Sequence, residues 1–158
     1  MPRRFADADT ASQLPPASLW RRLAAIFYDF LLCVAMLMVV TGILLLISNQ
    51  DVPLGETQAI GGPVYKSILF LSLFVFFAKF WTWPGQTLGM QSWRIRVQNR
   101  DGSPISLMQA MLRFFAAWLS AACFGLGYLW MLWDKEGLTW HDRFSESRVV
   151  VVPKILRE

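Results

Sequence analysis

LAAIFYDFLLCVAMLMVVTGILLLI, residues 23–47, holds one charged side chain, Asp29, in 25 positions. Its uncharged run of 18 residues, 30–47, joined to 23–28, is long enough as a helix to cross a hydrocarbon core of about 30 Å. Outward from it, residues 48–63 collect Asn49, Gln50, Asp51, Pro53, Gly55, Gly61 and Gly62, the composition of a loop. A second apolar stretch, 64–83, carries Lys66 and Lys79 and ends at Pro84-Gly85. A third, 107–133, has Ser106 placed as an N-cap, one charge at Arg113, and two interrupting glycines, Gly125 and Gly127.

The whole composition agrees with these segments. Hydrophobic residues make up 55% of the 158-residue chain and charged ones 16%, against about 25% in soluble domains. A globule this small needs a larger polar share to cover its surface. A soluble enzyme, a disordered tail and a nucleic-acid module are thereby excluded, and a membrane protein remains. The net charge of +4 then concerns orientation and lipid headgroups. Cys33 and Cys123 both lie in apolar stretches and read as small hydrophobes.

Between the second and third stretches, residues 93–98 (WRIRVQ) alternate apolar and polar, a strand signal followed by the turn residues Asn99 to Gly102. Val149 to Val152 form a second β-branched run, and pairing of 93–98 with 148–152 puts both on one side of the membrane. Arg3, Arg4, Arg21 and Arg22 at the start, Arg94, Arg96 and Arg100 in the middle, and Lys135, Arg143, Arg148, Lys154 and Arg157 at the end assign three segments to the cytoplasm. The expected fold is therefore an all-α membrane protein: two transmembrane helices, a third Gly-interrupted hydrophobic segment, and a small cytoplasmic two-stranded element. The third segment crosses once or bends back as a re-entrant hairpin, and the basic tail favours bending back. Residues 1–18 read as a disordered cytoplasmic N-terminus with neither a secretory signal nor a myristoylation glycine, and 153–158 as a C-terminal tail.

Asp29 is the foremost functional candidate, because an ionisable group within a membrane segment costs on the order of 3 kcal/mol to insert. Arg22 lies two helical turns earlier, so the two line one groove. Lys79 and Arg113 fall at comparable depth and are candidates for a charge cluster with Asp29; the alternative for Lys66 and Lys79 is to snorkel to the interfaces. His141 and Arg143 flank Asp142 after the last apolar segment. A lone His supplies no metal site, and Ser145 lacks an elbow motif. No cofactor, metal or catalysis is expected, so the chain reads as a non-enzyme. Trp20, Trp81, Trp83, Trp130 and Trp133 sit where an interfacial aromatic belt falls.

One set of blocks carries a resemblance. Residues 20–25 (WRRLAA) precede Asp29, then GQTLG (85–89) leads into RIRV (94–97), Asp101-Gly102, LTWHDR (138–143) and the closing valines. In that order they resemble the RDD family of bacterial membrane proteins, over residues 19–152. That family is named for an arginine near the start of the first helix and two aspartates. The resemblance implies that Arg22, Asp29 and Asp142 are these positions. Met90 stands where a lysine often follows the second glycine, so no phosphate or lipid contact is implied there. The resemblance also implies the bacterial cytoplasmic (inner) membrane with several crossings, and ion or small-solute transport, which so few helices permit only in a homo-oligomer. The competing expectation is a non-transporting scaffold or accessory subunit that docks a membrane protein partner. The lipid bilayer is a partner on either reading, and nucleic acid is not.

Overall fold

The computed structural model describes residue 5, residues 11–50, residue 56 and residues 59–153. Helix α1 spans Leu19–Ser48 and α2 spans Gly62–Thr82. At 1.5 Å per residue their 30 and 21 residues reach about 45 Å and 31 Å, and both are apolar enough to cross a membrane. A short α3 (Leu88–Ser92) leads into β1 (Ile95–Asn99). Then follow α4 (Leu107–Ala122), α5 (Leu126–Leu129), a 3-10 turn (Trp130–Leu132), α6 (Trp140–Phe144) and β2 (Ser147–Val151).

The burial pattern of α1 is the reverse of that in a soluble helix. Its buried residues are Arg22, Ala25, Asp29 and Cys33, a stripe spaced by three or four residues that includes both ionisable candidates. The large apolar side chains point outward, Phe27 at 60%, Phe30 at 61% and Leu46 at 74% exposure. A helix that hides its charges and shows its hydrophobes is matched to lipid. Helix α2 meets α4 through rings: Phe70 and Phe74 each lie 5.4 Å from Phe114, and Phe77 lies 6.3 Å from it.

The third apolar stretch does not run straight. Helix α4 begins with a capping box, Ser106 accepting from the Gln109 amide and Gln109 from the Ser106 amide, as the N-cap reading anticipates. Its 16 residues reach about 24 Å, less than a full crossing. Beyond Cys123 the chain turns by 108° into the α5 arm. Phe124 (φ 54) and Gly125 (φ 79) make the bend in the left-handed region, which glycine adopts without a Cβ penalty.

The two strands pair antiparallel, with Ile95 opposite Val151 and Val97 opposite Val149. The expected pairing is present, starting two residues later because Trp93 ends α3 and Arg94 takes φ 52. Alternation along a strand suggests one wet face, but Ile95 through Gln98 are all buried. Ile95 and Val97 join the helical core with Ala25, Trp81, Ala110 and Phe114. Arg96 and Gln98 are covered by the N-terminal segment: the Gln98 amide donates to the Ala11 carbonyl at 2.6 Å, and Arg96 lies over the Phe5 ring at 4.0 Å.

This corrects the reading of 1–18 as a disordered lead-in, as far as its described residues go. Residues 15–17 run along the free edge of β2, the Ala17 amide donating to Val149 and the Val151 amide to Pro15, each at 2.9 Å. Pro16, which cannot donate, sits opposite Val150 at this edge position, where no donor is required. Residues 1–4, 6–10 and 154–158 lie outside the described part.

Candidate functional site

The two aspartates of the resemblance go to different places. Asp142 sits in the first turn of α6, fully buried, with Thr139 and Asp142 closing a second capping box. Arg22 reaches it from α1 at 2.5 Å and Arg113 from α4 at 2.6 Å. The same Arg22 donates to the Ala17 carbonyl at 3.1 Å and to Val149 at 3.4 Å, while Arg113 also donates to the Ser147 hydroxyl at 2.8 Å. One carboxylate thus ties both helices, the sheet and α6 together. Burial alone raises its pKa, but the facing Arg113 and Arg22 guanidiniums outweigh that and hold it well below the usual carboxylate range.

Among the described residues Asp29 meets no arginine. Its Oδ2 accepts from the Thr87 hydroxyl at 2.5 Å and its Oδ1 from the Gly89 amide at 2.9 Å. The Thr87 oxygen in turn accepts from the Met90 amide and so caps α3. Gly89 is needed for this contact. A Cβ there would lie 2.4 Å from the Ala25 carbonyl and 2.8 Å from Asp29 itself. The GQTLG block is therefore a turn and dock for α1, which accounts for its Thr87 and Gly89.

The proposed cluster of Asp29 with Lys79 and Arg113 does not form. Arg113 is taken by Asp142, and Lys79 is exposed in the last turn of α2, as a snorkelling lysine would be. Arg143 is also outside the buried group, paired with Asp134 at the surface. Trp81 departs from the expected belt. It is buried with its ring 5.5 Å from the Arg113 guanidinium, whereas Trp20 and Trp133 stay exposed.

His141 is buried beneath Tyr128, ring centroids 4.3 Å apart. Burial, reinforced by Arg113, pushes its pKa down to about 3, so the ring is neutral at physiological pH. Both of its ring nitrogens lack a hydrogen-bond partner, as do Nε of Arg113 and Nε1 of Trp81. A buried polar group left unpaired costs about 1–3 kcal/mol. Trp81, Arg113 and His141 all border one cavity of about 410 Å³ between α1, α2 and α4. Arg22, Asp29 and Tyr128 border it as well, so the expectation that Arg22 and Asp29 share a groove holds geometrically. Among the described residues no cluster of His, Cys, Asp and Glu is arranged to hold a metal.

Sequence reasoning missed Thr87, Tyr128, Thr139 and Ser147. Of these, Thr139 left a readable sign, since Thr-x-x-Asp at 139–142 has capping-box spacing. The sequence profile of the RDD family matches residues 16–146. No curated protein and no solved structure matches the chain. The matched span contains Arg22, Asp29 and Asp142, with the buried contacts that join them to α3 and α4; the chain is a membrane protein that belongs to the RDD family.

Proposed function

We propose that this protein transports an ion or small solute across the bacterial inner membrane, using the cavity between α1, α2 and α4 as its chamber and Asp29 as its ionisable centre. The supporting observation is that Asp29 lines this cavity and, among the described residues, is held by a hydroxyl and an amide rather than by an arginine. A carboxylate fixed by neutral donors exchanges a proton or a cation without dismantling an ion pair. Two long helices and one bent segment enclose too little for a pathway, so the transporting unit is a homo-oligomer. The Lys/Arg distribution supports a cytoplasmic side for the sheet and both termini.

Proton movement in pyranine-filled proteoliposomes given sodium or potassium pulses tests the reading. Wild-type protein is expected to move protons in a cation- and pH-dependent way, and a folded Asp29→Asn variant is expected to have lost that response. Inactive wild type, or an active Asp29→Asn variant, rejects the assignment and favours the scaffold reading. Single cysteines at Glu56 and Arg100 in a Cys-free background check the topology. Impermeant reagent added to intact cells is expected to label the first and miss the second.

A further inference from the structure

Every wall of the inter-helix cavity above the charged residues is apolar. Ile26, Phe30, Val34 and Leu37 of α1 face Leu73 and Phe77 of α2 across it. Ile26, Phe30 and Val34 are themselves exposed on the lipid-facing side of α1, at 38%, 61% and 41%. The cavity therefore opens sideways toward the bilayer core rather than toward water. At about 410 Å³ it falls in the range of small-molecule sites, roughly 300–1,000 Å³.

The residues at its polar end have spare hydrogen-bonding capacity. Trp81 and Arg113 each carry an N–H without a partner, the neutral His141 has one donor and one acceptor unused, and Tyr128, a phenol, lines the cavity with its ring against His141. Tyr128 also lies within electrostatic reach of Arg22, Asp29, Arg113 and Asp142. Two arginines and two aspartates cancel, so a charged headgroup brought here would have no net counter-charge to meet. Donors outnumber acceptors, apolar walls lead away from them, and entry is from lipid.

We infer that this cavity binds a membrane-soluble amphiphile, its head a neutral group with acceptor oxygens such as a ketone, ester or quinone, its tail lying between α1 and α2. The head takes hydrogen bonds from Tyr128, His141, Trp81 and Arg113. The inference goes beyond the transport reading and shares only the cavity with it. Ligand binding without ion flux rejects transport alone, and ion flux without ligand binding rejects this inference alone.

The full chain in phosphatidylcholine nanodiscs, titrated with three probes of equal tail length, tests it through the shift in melting temperature. The expected result is saturable stabilisation by 2-dodecanone, with neither dodecane nor dodecyl phosphate matching it. Tyr128→Phe removes one oxygen from a residue outside the Asp142 ion pairs and is expected to weaken the apparent affinity for 2-dodecanone at least tenfold. His141→Phe is expected to do the same while melting no lower than wild type without ligand, since it removes two unpartnered nitrogens. Equal stabilisation by dodecane, tighter binding of dodecyl phosphate, no response to 2-dodecanone, or an unchanged affinity in Tyr128→Phe would each overturn the inference.

Discussion

Asp142 and Asp29 are the same side chain in two opposite electrostatic settings. Asp142 has two guanidiniums within 2.6 Å and no accessible surface, so its charge is more than neutralised. Asp29 has a hydroxyl and an amide, with an open cavity beside it. The first arrangement fixes a structure, because removing Asp142 leaves two buried guanidiniums without their carboxylate. The second leaves a charge available. In this chain Arg22 and Asp142 thus form a structural pair, and Asp29 stands apart from it beside the cavity.

The sharpest way to break this contrast is Asp142→Asn. Arg22 and Arg113 would remain buried and cationic, and loss of one partner from a buried ion pair costs about 3–5 kcal/mol. Much of the protein is expected not to reach a folded state, read as a loss of the monodisperse peak in mild detergent. Wild-type yield and melting temperature in Asp142→Asn would show that the arginines are solvated and the pairing dispensable.

Acid should act through His141 before it reaches Asp142. His141 has its pKa depressed from 6.5 to about 3, so between those values the unfolded chain binds a proton that the folded chain refuses. Stability then falls as pH drops through this window, by at most about 1.4 kcal/mol per pH unit. Asp142 adds stability that is present above its ordinary value of 3.8 and is lost only as pH falls below it. Melting temperature followed from about pH 7.5 to 4.5 is expected to decline in wild type and to stay nearly flat in His141→Phe. A parallel decline in both would assign the acid sensitivity to other groups.

Much of this contrast is visible in the sequence, and part of it is not. Residues 23–47 and 64–83 announce membrane helices because length and the absence of charge suffice. The strand pairing is legible from two short alternating or β-branched runs, and the bend from Gly125. The partners of the charges are not legible, since Arg113 has Asp29 and Asp142 both within plausible reach and only the fold of residues 139–147 brings Asp142 across. The docked segment at 11–18 was hidden for a similar reason. Its two prolines and polar residues resemble a linker, and its order comes from β2's unpaired edge, a tertiary partner that composition does not show.

On the Asp29 side a substitution should be gentler. Asn in its place keeps one oxygen to accept from Gly89 or Thr87 and leaves no buried cation stranded. A cost of about 1.5–3 kcal/mol, the loss of one charge-assisted hydrogen bond, is expected. Asp29→Asn should therefore fold and insert with a slightly lower melting point, the opposite of Asp142→Asn. Destabilisation equal to that of Asp142→Asn would mean that Asp29 is structural as well.

The smallest effect belongs to an ion pair of ordinary geometry at the surface. Arg100 and Glu136 meet at 2.9 Å, nearly as close as the buried pairs, but their side chains are 67% and 54% exposed. Water screens both charges and the side chains lose entropy in meeting, so such a pair contributes under about 1 kcal/mol. Arg100→Ala is expected to shift the melting temperature within experimental error, and raising the salt concentration should reproduce the change in wild type. Distance alone would rank this pair close to Arg113–Asp142. A large loss of stability in Arg100→Ala would show that burial is not what separates them, and the reading of Asp142 as the structural aspartate would lose its physical basis.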